Sequence, residues 1–448
     1  MVDADTLTKR LEEIVGADAL TSAETEAYAV DGVRPRLVAI PADADQVAAL
    51  LKASDDLRAS VTPWGGGVSQ DLGNPPERMD LVLRTARLSR VIAHEPADMT
   101  CVAEAGIRLA DLQATLGKAG QYLPLDPPDP ETATLGGVLS ANASGPLRLA
   151  YGWPRDVVIG TKVALVSGQQ VRSGGRVVKN VAGFDLNKLY VGALGTLGVL
   201  VEVALKVLPL PERRASIAAV FSDLNGAAGA VRSILQTDLA PCALELISPR
   251  AAARLARAAS LPSGGLVVLV RAEGVSEATR DQMERLKDLF HTSGAVEIAP
   301  FDGPEEPAPW DAVRQFRRAP EVARHTVRCK VSVPIKCVRA VFDAADALRG
   351  HYEVACDLIA HAGSGIVYAC LDLETPDRVD RAVAAAADLR QRASDLDGHL
   401  VVESAPPAFK ARLDVWGKWG PDLKLMRALK AQYDPKRTLN PGRFVGGI

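Results

Sequence analysis

The chain has 448 residues, of which 48% are apolar and 24% charged, a balance that excludes disorder and fibrous architectures. That length holds about two or three domains around a sizeable core. With 52 Lys and Arg against 55 Asp and Glu the formal charge is −3, so no whole-chain pull toward nucleic acid or an anionic membrane exists and any anion site must be local.

An apolar-periodic segment over residues 3–15 predicts an opening helix, and 36–40 predicts a strand stopped by Pro41. Asp43 then caps a helix with Gln46 at its third position, the spacing that satisfies orphan groups reciprocally, and Val47, Leu50 and Leu51 face inward. Short strands are expected at 60–63, 80–83, 91–94 and 101–104, followed by a helix over 109–119. Residues 131–200 hold 12 of the 37 glycines and seven cations (Arg148, Arg155, Lys162, Arg172, Arg176, Lys179, Lys188) against three acids (Glu131, Asp156, Asp185), a local +4. After Pro209 and Pro211 a second region begins, with strands expected at 266–272, 330–335 and 366–371 and a boundary near Arg213. Helix and a Pro/Gly stop return between Trp416 and Gly442, and no repeat of 20–50 residues is evident.

Cys101, Cys242, Cys329, Cys337, Cys356 and Cys370 include no C-x-x-C pair, which argues against zinc knuckles, thioredoxin motifs and iron–sulfur ligation and for reduced thiols in a cytoplasmic protein with no metal site. The acidic N-terminus lacks the basic start of a secretory signal. The most apolar stretch, 191–208, is broken by three glycines, Glu202 and Lys206, so no membrane span is expected.

Three blocks carry the chemistry. In Pro63-Trp-Gly-Gly-Gly-Val-Ser-Gln-Asp-Leu-Gly73 three glycines follow a strand, which suits either a tight turn or a nest of N–H groups for phosphate oxygens. The nicotinamide-type fingerprint is disfavoured, because Gly73, Pro75 and Pro76 forbid the helix it must open. The second block, 124–145, is a Pro-stiffened extended platform in which Gly136-Gly137 admits a closely approaching surface, and a strand at 157–166 follows whose alternate residues line an apolar ring site. The third, Gly174-Gly-Arg-Val-Val-Lys179-Asn180-Val-Ala-Gly-Phe-Asp185, runs into Gly195-Thr-Leu-Gly198.

With these blocks, and with the tail Asp434-Pro-Lys-Arg-Thr-Leu-Asn-Pro-Gly-Arg443, the chain resembles the FAD-linked oxidases with the vanillyl-alcohol oxidase type of flavin domain. Ala143-Ser-Gly-Pro-Leu-Arg-Leu-Ala-Tyr-Gly152 and Asp414-Val-Trp-Gly417 resemble, more narrowly, the FAD-binding subunits of glycolate-oxidase-type complexes. The resemblance implies an α+β architecture: an FAD-binding domain of two subdomains (1–213), an α+β substrate or cap domain (214–410) and a C-terminal segment packing back on the FAD domain (411–448). It implies a pyrophosphate on Gly65, Gly66 and Gly67, flanked by Pro63, Trp64, Val68, Ser69 and Gln70. Platform residues Asp126, Pro127, Thr134, Gly136, Gly137, Asn142, Ser144, Gly145, Tyr151, Gly152, Asp156, Val157 and Val158 are implied contacts of the rings. Lys179, Asn180, Gly195, Gly198, Val199 and Asn440 complete that set. Covalent relatives often carry a histidine after the glycines; Val68 stands here, so a non-covalent flavin is expected.

The implied reaction is two-electron oxidation of a small 2-hydroxy acid to the 2-oxo acid, for which the protein supplies a cation and a base. Arg314, Arg317, Arg318 and Lys330 are candidates for the cation, although the three arginines also suit a solvated face. His361, in His-Ala-Gly-Ser-Gly-Ile-Val-Tyr368, is the candidate base or a hydrogen-bonded structural residue, with Tyr368 beside it for substrate. Catalytic relatives carry a second histidine where Tyr368 stands, which argues against a two-histidine metal site. His94, His291, His325, His351 and His399 read as surface or satisfied residues. The implied partners are a second flavin subunit and an iron–sulfur subunit, through which a cytoplasmic chain reaches a membrane. The rival readings are a stand-alone D-lactate-like dehydrogenase and a non-catalytic assembly subunit.

Overall fold

The computed structural model describes residues 4–175, 184–316, 326–373, 375 and 378–448. The chain forms two compact units, Met1–Ser144 with Trp153–Leu210 and Lys418–Ile448, and Gly145–Gly152 with Pro211–Gly417.

The first unit contains two principal sheets. β1 (Leu20–Thr21), β2 (Leu37–Ala39), β3 (Val61–Trp64) and β4 (Leu81–Arg84) make a four-stranded sheet in the order β1-β2-β4-β3, with β2 and β3 both parallel to β4. The helix Ala44–Asp56 makes that parallel crossover and buries Val47, Leu50 and Leu51 in a cluster with Leu81 and Leu83. At its start Asp43 Oδ1 accepts from Gln46 N at 2.9 Å, but Gln46 Oε1 returns to Ala42 N (2.7 Å), one residue earlier than a reciprocal capping box requires.

The second sheet uses β5 (Val91–Glu95) and β6 (Thr100–Glu104), while β7 (Gln121–Tyr122) stands apart. β8 (Val158–Ala164), β9 (Gln170–Gly174) and β10 (Val199–Lys206) complete it as an antiparallel sheet in the order β5-β6-β10-β8-β9, and β11 (Leu208–Pro209) pairs with β7. Central β10 is buried on both faces at all but Glu202 and Lys206, which is why it reads as an apolar run and not an alternation. Helices Leu109–Gly117 and Leu135–Ser140 contribute Leu112, Leu116, Leu135 and Val138 to the cluster on this sheet.

The second unit is built on one antiparallel eight-stranded sheet. Its strands are β12 (Arg213–Phe221), β13 (Ala243–Ile247), β14 (Leu266–Gly274), β15 (Glu297–Asp302), β16 (Thr326–Ser332), β17 (Cys356–His361), β18 (Ile366–Asp372) and β19 (His399–Ser404), in the order β15-β12-β14-β13-β17-β18-β16-β19. Helices Leu224–Gln236, Ser276–Thr292, Val338–Tyr352 and Val379–Asp395 bury apolar residues on one face. Pro249–Ala259 and Pro307–Gln315 cover part of the other.

Three expectations shift. The strand placed at 330–335 lies at Thr326–Ser332, because Pro334 lacks an N–H and a 3-10 turn, Ile335–Cys337, follows. Val157 ends a short helix, Pro154–Val157, before β8 begins. The platform does not stay extended: Gly136 and Gly137 lie inside the helix Leu135–Ser140. No helix among the described residues is long and apolar enough to cross a membrane.

Candidate flavin and substrate sites

β3 delivers Pro63 and Trp64 to a turn that only glycine can make. A Cβ on Gly65 would collide with Thr134 Oγ1 and one on Gly66 with the carbonyl oxygen of Thr132, while Gly67 sits at φ +76°. Among the described residues the N–H groups of Gly66, Gly67, Val68 and Ser69 enter no backbone hydrogen bond, so four adjacent donors remain for a ligand anion. Gln70 closes the turn, with Nε2 donating to Pro63 O (3.2 Å) and its N–H to Gly67 O (3.4 Å).

The platform and the second glycine block meet this loop. Thr134 caps the helix Leu135–Ser140 by accepting from Gly137 N, and Gly136 N donates to Ala105 O at 2.7 Å, where an added Cβ on Gly136 would lie 2.9 Å from Ala105 Cβ. Gly192 N and Leu194 N donate to Leu139 O and Ser140 O (both 2.9 Å), and Asn142 takes a left-handed φ of 49°. Gly195 abuts Pro63, where an added Cβ would lie 3.1 Å from its Cγ. Asn440 Nδ2 donates to Leu194 O at 2.6 Å and its backbone N–H to Val61 O at 3.0 Å. Pro63–Gln70, Thr134, Gly195 and Asn440 thus surround the end of β3, together with Thr132 and Leu194, which sequence reasoning did not single out.

The structure places the other expected residues as follows. Asp156 Oδ2 accepts from Trp153 N at 2.7 Å, which caps its own short helix. Val157, Val158 and Val199 are buried core, and Gly198 lies against Val163, where a Cβ would come within 2.5 Å of Cγ1. Asp126, half-buried, and Pro127, buried, belong to the irregular segment before Thr132, and Ser144 is buried. Gly145, Tyr151 and Gly152 belong to the second unit, where Tyr151 OH donates to Glu273 Oε1 (2.6 Å) beside Arg214, whose Nε holds Glu273 Oε2 (2.9 Å). Lys179 and Asn180 lie outside the described residues.

Among the described residues the cations of the 131–200 window are paired or buried, and Arg176 and Lys179 lie outside them. Lys162 and Arg172 both pair with Glu202, Arg155 with Asp156 and Lys188 with Asp185, while Arg148 is buried in the second unit. Glu202 lies just outside the window in sequence but reaches Lys162 across the β8–β10 ladder. Among the described residues the donors of the cradle are backbone N–H groups.

In the second unit, register gathers a different set. Glu245 pairs opposite His361, Ile359 opposite Tyr368, and Tyr368 opposite Lys330, so all lie on one face of four adjacent strands. His361 Nδ1 and Glu245 Oε1 are 2.6 Å apart, both groups are buried, and Tyr368 meets the imidazole edge-on with centroids 5.1 Å apart. With its Nδ1 held by the carboxylate, His361 presents Nε2 as the basic nitrogen. Lys330 is half-buried, and it joins burial in holding the His399 pKa below the usual histidine range. Arg314 pairs with Asp311 on its own helix; Arg317, Arg318 and His325 lie outside the described residues. His94 bonds Gln121 (2.7 Å) and His351 bonds Ala347 O (2.9 Å). Glu245 was missed at first, although a carboxylate inside Ala243-Leu-Glu-Leu-Ile247 is a signal, since a buried charge demands a partner. The described residues contain no His/Cys/Asp/Glu cluster able to hold a metal. Burial raises the Cys101 thiol to about 11 and the Cys329 thiol to about 12, which leaves both protonated and unreactive at neutral pH.

A glycine turn with four unspent backbone donors at the end of β3 describes a scaffold that binds a phosphate-bearing ligand. Residues 35–174 match the FAD binding domain, and residues 210–444 match the C-terminal domain of the FAD linked oxidases. The chain belongs to the FAD-linked oxidase family, and FAD is the cofactor its binding domain takes. It is 28% identical to the glycolate oxidase subunit GlcD of Bacillus subtilis, over 92% of this chain and 89% of that protein. Against the glycolate oxidase subunit GlcE of Escherichia coli it is 38% identical, over 39% of this chain and 51% of that protein. The solved structure of p-cresol methylhydroxylase with substrate bound superposes with a TM-score of 0.79, covering 98% of this chain and 96% of its own at 17% identity, so the two share the vanillyl-alcohol oxidase type of fold.

The residues fit FAD. The cradle has no room for a Cβ at Gly65 or Gly66 and keeps unspent N–H donors, as a pyrophosphate requires. Val68 directs its side chain into the apolar cluster of β6, β8 and β10 and offers no nucleophile for attachment. Trichloroacetic acid is expected to release the flavin into the supernatant and leave a colourless pellet; a yellow pellet would refute non-covalent binding.

Proposed function

We propose that this chain is the FAD-binding subunit of a glycolate-oxidase-type complex, oxidising a small 2-hydroxy acid to the 2-oxo acid and passing electrons to partner subunits. The observation that carries the reading is the Glu245–His361 pair, set with Tyr368 and Lys330 on one sheet face. In this scheme His361 Nε2 takes the hydroxyl proton of the substrate, Glu245 fixes the tautomer and steadies the imidazolium that results, and Lys330 binds the substrate carboxylate. Pro63–Gln70, Thr134, Gly195 and Asn440 would hold FAD, which would supply the two-electron acceptor for the hydride of the substrate carbon. The absence of any C-x-x-C pair, together with the likeness to GlcD and GlcE, supports onward transfer to a separate cluster-bearing chain.

The test is the visible spectrum of the purified chain, before and after anaerobic glycolate and each lactate enantiomer. Bleaching by one acid supports catalysis by this chain, and bleaching by D-lactate alone favours a stand-alone dehydrogenase. Persistence of the bands until partner subunits are added supports the assembly reading, which Tyr368 favours because no second imidazole faces His361 there. His361→Ala is expected to retain flavin and slow turnover by roughly 10²–10⁴-fold, with Glu245→Gln showing a smaller loss. Unchanged turnover in His361→Ala would return the pair to a purely structural role.

A further inference from the structure

The C-terminal signature ends in a buried arginine that the redox scheme does not use. Arg443 Nη2 donates to Gln70 O (2.6 Å) and Leu72 O (2.7 Å), and Nη1 donates to Asn74 O (3.2 Å). The grip is mutual, since Asn74 N donates to Arg443 O at 3.0 Å and Glu77 N to Pro441 O at 3.0 Å. At Gly73 an added Cβ would lie 2.6 Å from Arg443 O, so the return arm of the loop is laid against the tail with no room to spare. Three carbonyls within five residues converge on one guanidinium, and charge-assisted bonds of this kind are the strong ones. Asp31 stands 3.8 Å from Nη1 as a counter-charge.

We propose that Arg443 is a positioning residue for the FAD pyrophosphate. It acts through Gln70, whose carbonyl it holds and whose side chain and N–H close the Gly65–Gly67 turn onto Pro63 and Gly67. A loop already fixed in this way loses little conformational freedom when the cofactor arrives, which is how pre-organisation raises affinity. Once its carbonyls are released, the arm samples conformations in which backbone oxygens face the phosphates. The inference rests on FAD binding alone and is independent of the substrate reading.

The experiment uses the full chain stripped of flavin, titrated by fluorescence with FAD, ADP and riboflavin. ADP carries the adenosine and pyrophosphate, riboflavin the isoalloxazine and ribityl chain without any phosphate. Arg443→Met is expected to weaken FAD and ADP by about 30-fold while riboflavin changes by less than about twofold, with Arg443→Lys recovering part of the loss. A general structural role would weaken all three equally, and that outcome, or unchanged ADP affinity, overturns the proposal. If Arg443→Met does not fold, Arg443→Lys decides the matter: it keeps the charge but cannot reach all three carbonyls at once, so it must weaken ADP while leaving riboflavin unchanged.

Discussion

Gly66→Asp is expected to yield a folded chain that purifies without flavin. Two effects combine at this position. The Cβ has no space, because the Thr132 carbonyl oxygen occupies its place, so the loop must move off the platform. The carboxylate then sits among the N–H groups of Gly66 to Ser69, where it competes with the pyrophosphate and repels it. Together these should weaken FAD by at least about 10³-fold, roughly 4 kcal/mol, and remove the thermal stabilisation that bound cofactor confers. Flavin content from the visible spectrum and a cofactor titration of the stripped chain measure this; full flavin content would remove the phosphate-loop assignment. Gly66→Ala separates the terms, since it keeps the steric conflict and omits the charge.

The largest effect on stability is expected at Asp434. Its carboxylate is fully buried and accepts from Lys430 Nζ (2.6 Å), Thr438 N (2.8 Å) and Leu439 N (2.8 Å). Lys430 also donates to Thr196 O and Leu439 O, both at 2.8 Å, and burial pulls its pKa below the usual lysine range. Asp434→Ala strands a buried ammonium and two backbone donors, a change worth about 3–5 kcal/mol. Denaturant unfolding should show it as a lower midpoint at unchanged slope. The double variant Lys430→Met with Asp434→Ala should recover part of the loss, because no isolated charge remains. A loss in the double variant equal to or above that of Asp434→Ala would show that the backbone bonds, and not the ion pair, dominate.

Local chemistry was legible in the sequence. Glycines that permit a close approach and the Asp43 cap are decided within a few residues, so the loop and the first helices could be read directly, whereas the order of the strands in their sheets could not. What needed register could not. Glu245 and His361 are 116 residues apart and meet only because β13 and β17 pair with those two residues opposite. The +4 counted over residues 131–200 is partly balanced from outside that window, because β8 and β10 align Lys162 with Glu202. Gly136 and Gly137, poor helix formers, were read as extended; they are helical because Thr134 caps the turn and the closeness of Ala105 to Gly136 rewards the missing side chain. Tyr151 sits among flavin-loop motifs in sequence, yet its hydroxyl belongs to Glu273, 122 residues away.

The interleaving of the two units sets the order in which they can be completed during synthesis. The strand that delivers the glycine loop is flanked by Leu439, through the pairing of Val61 with Thr438 and Asn440, and the first unit includes Lys418–Ile448. The second unit is complete once Gly417 has emerged from the ribosome, whereas the flavin unit, most of which is made earlier, must wait for Lys418–Ile448. The usual N-to-C order of co-translational folding is therefore reversed for these two units, and cofactor capture becomes an event that follows completion of the second unit.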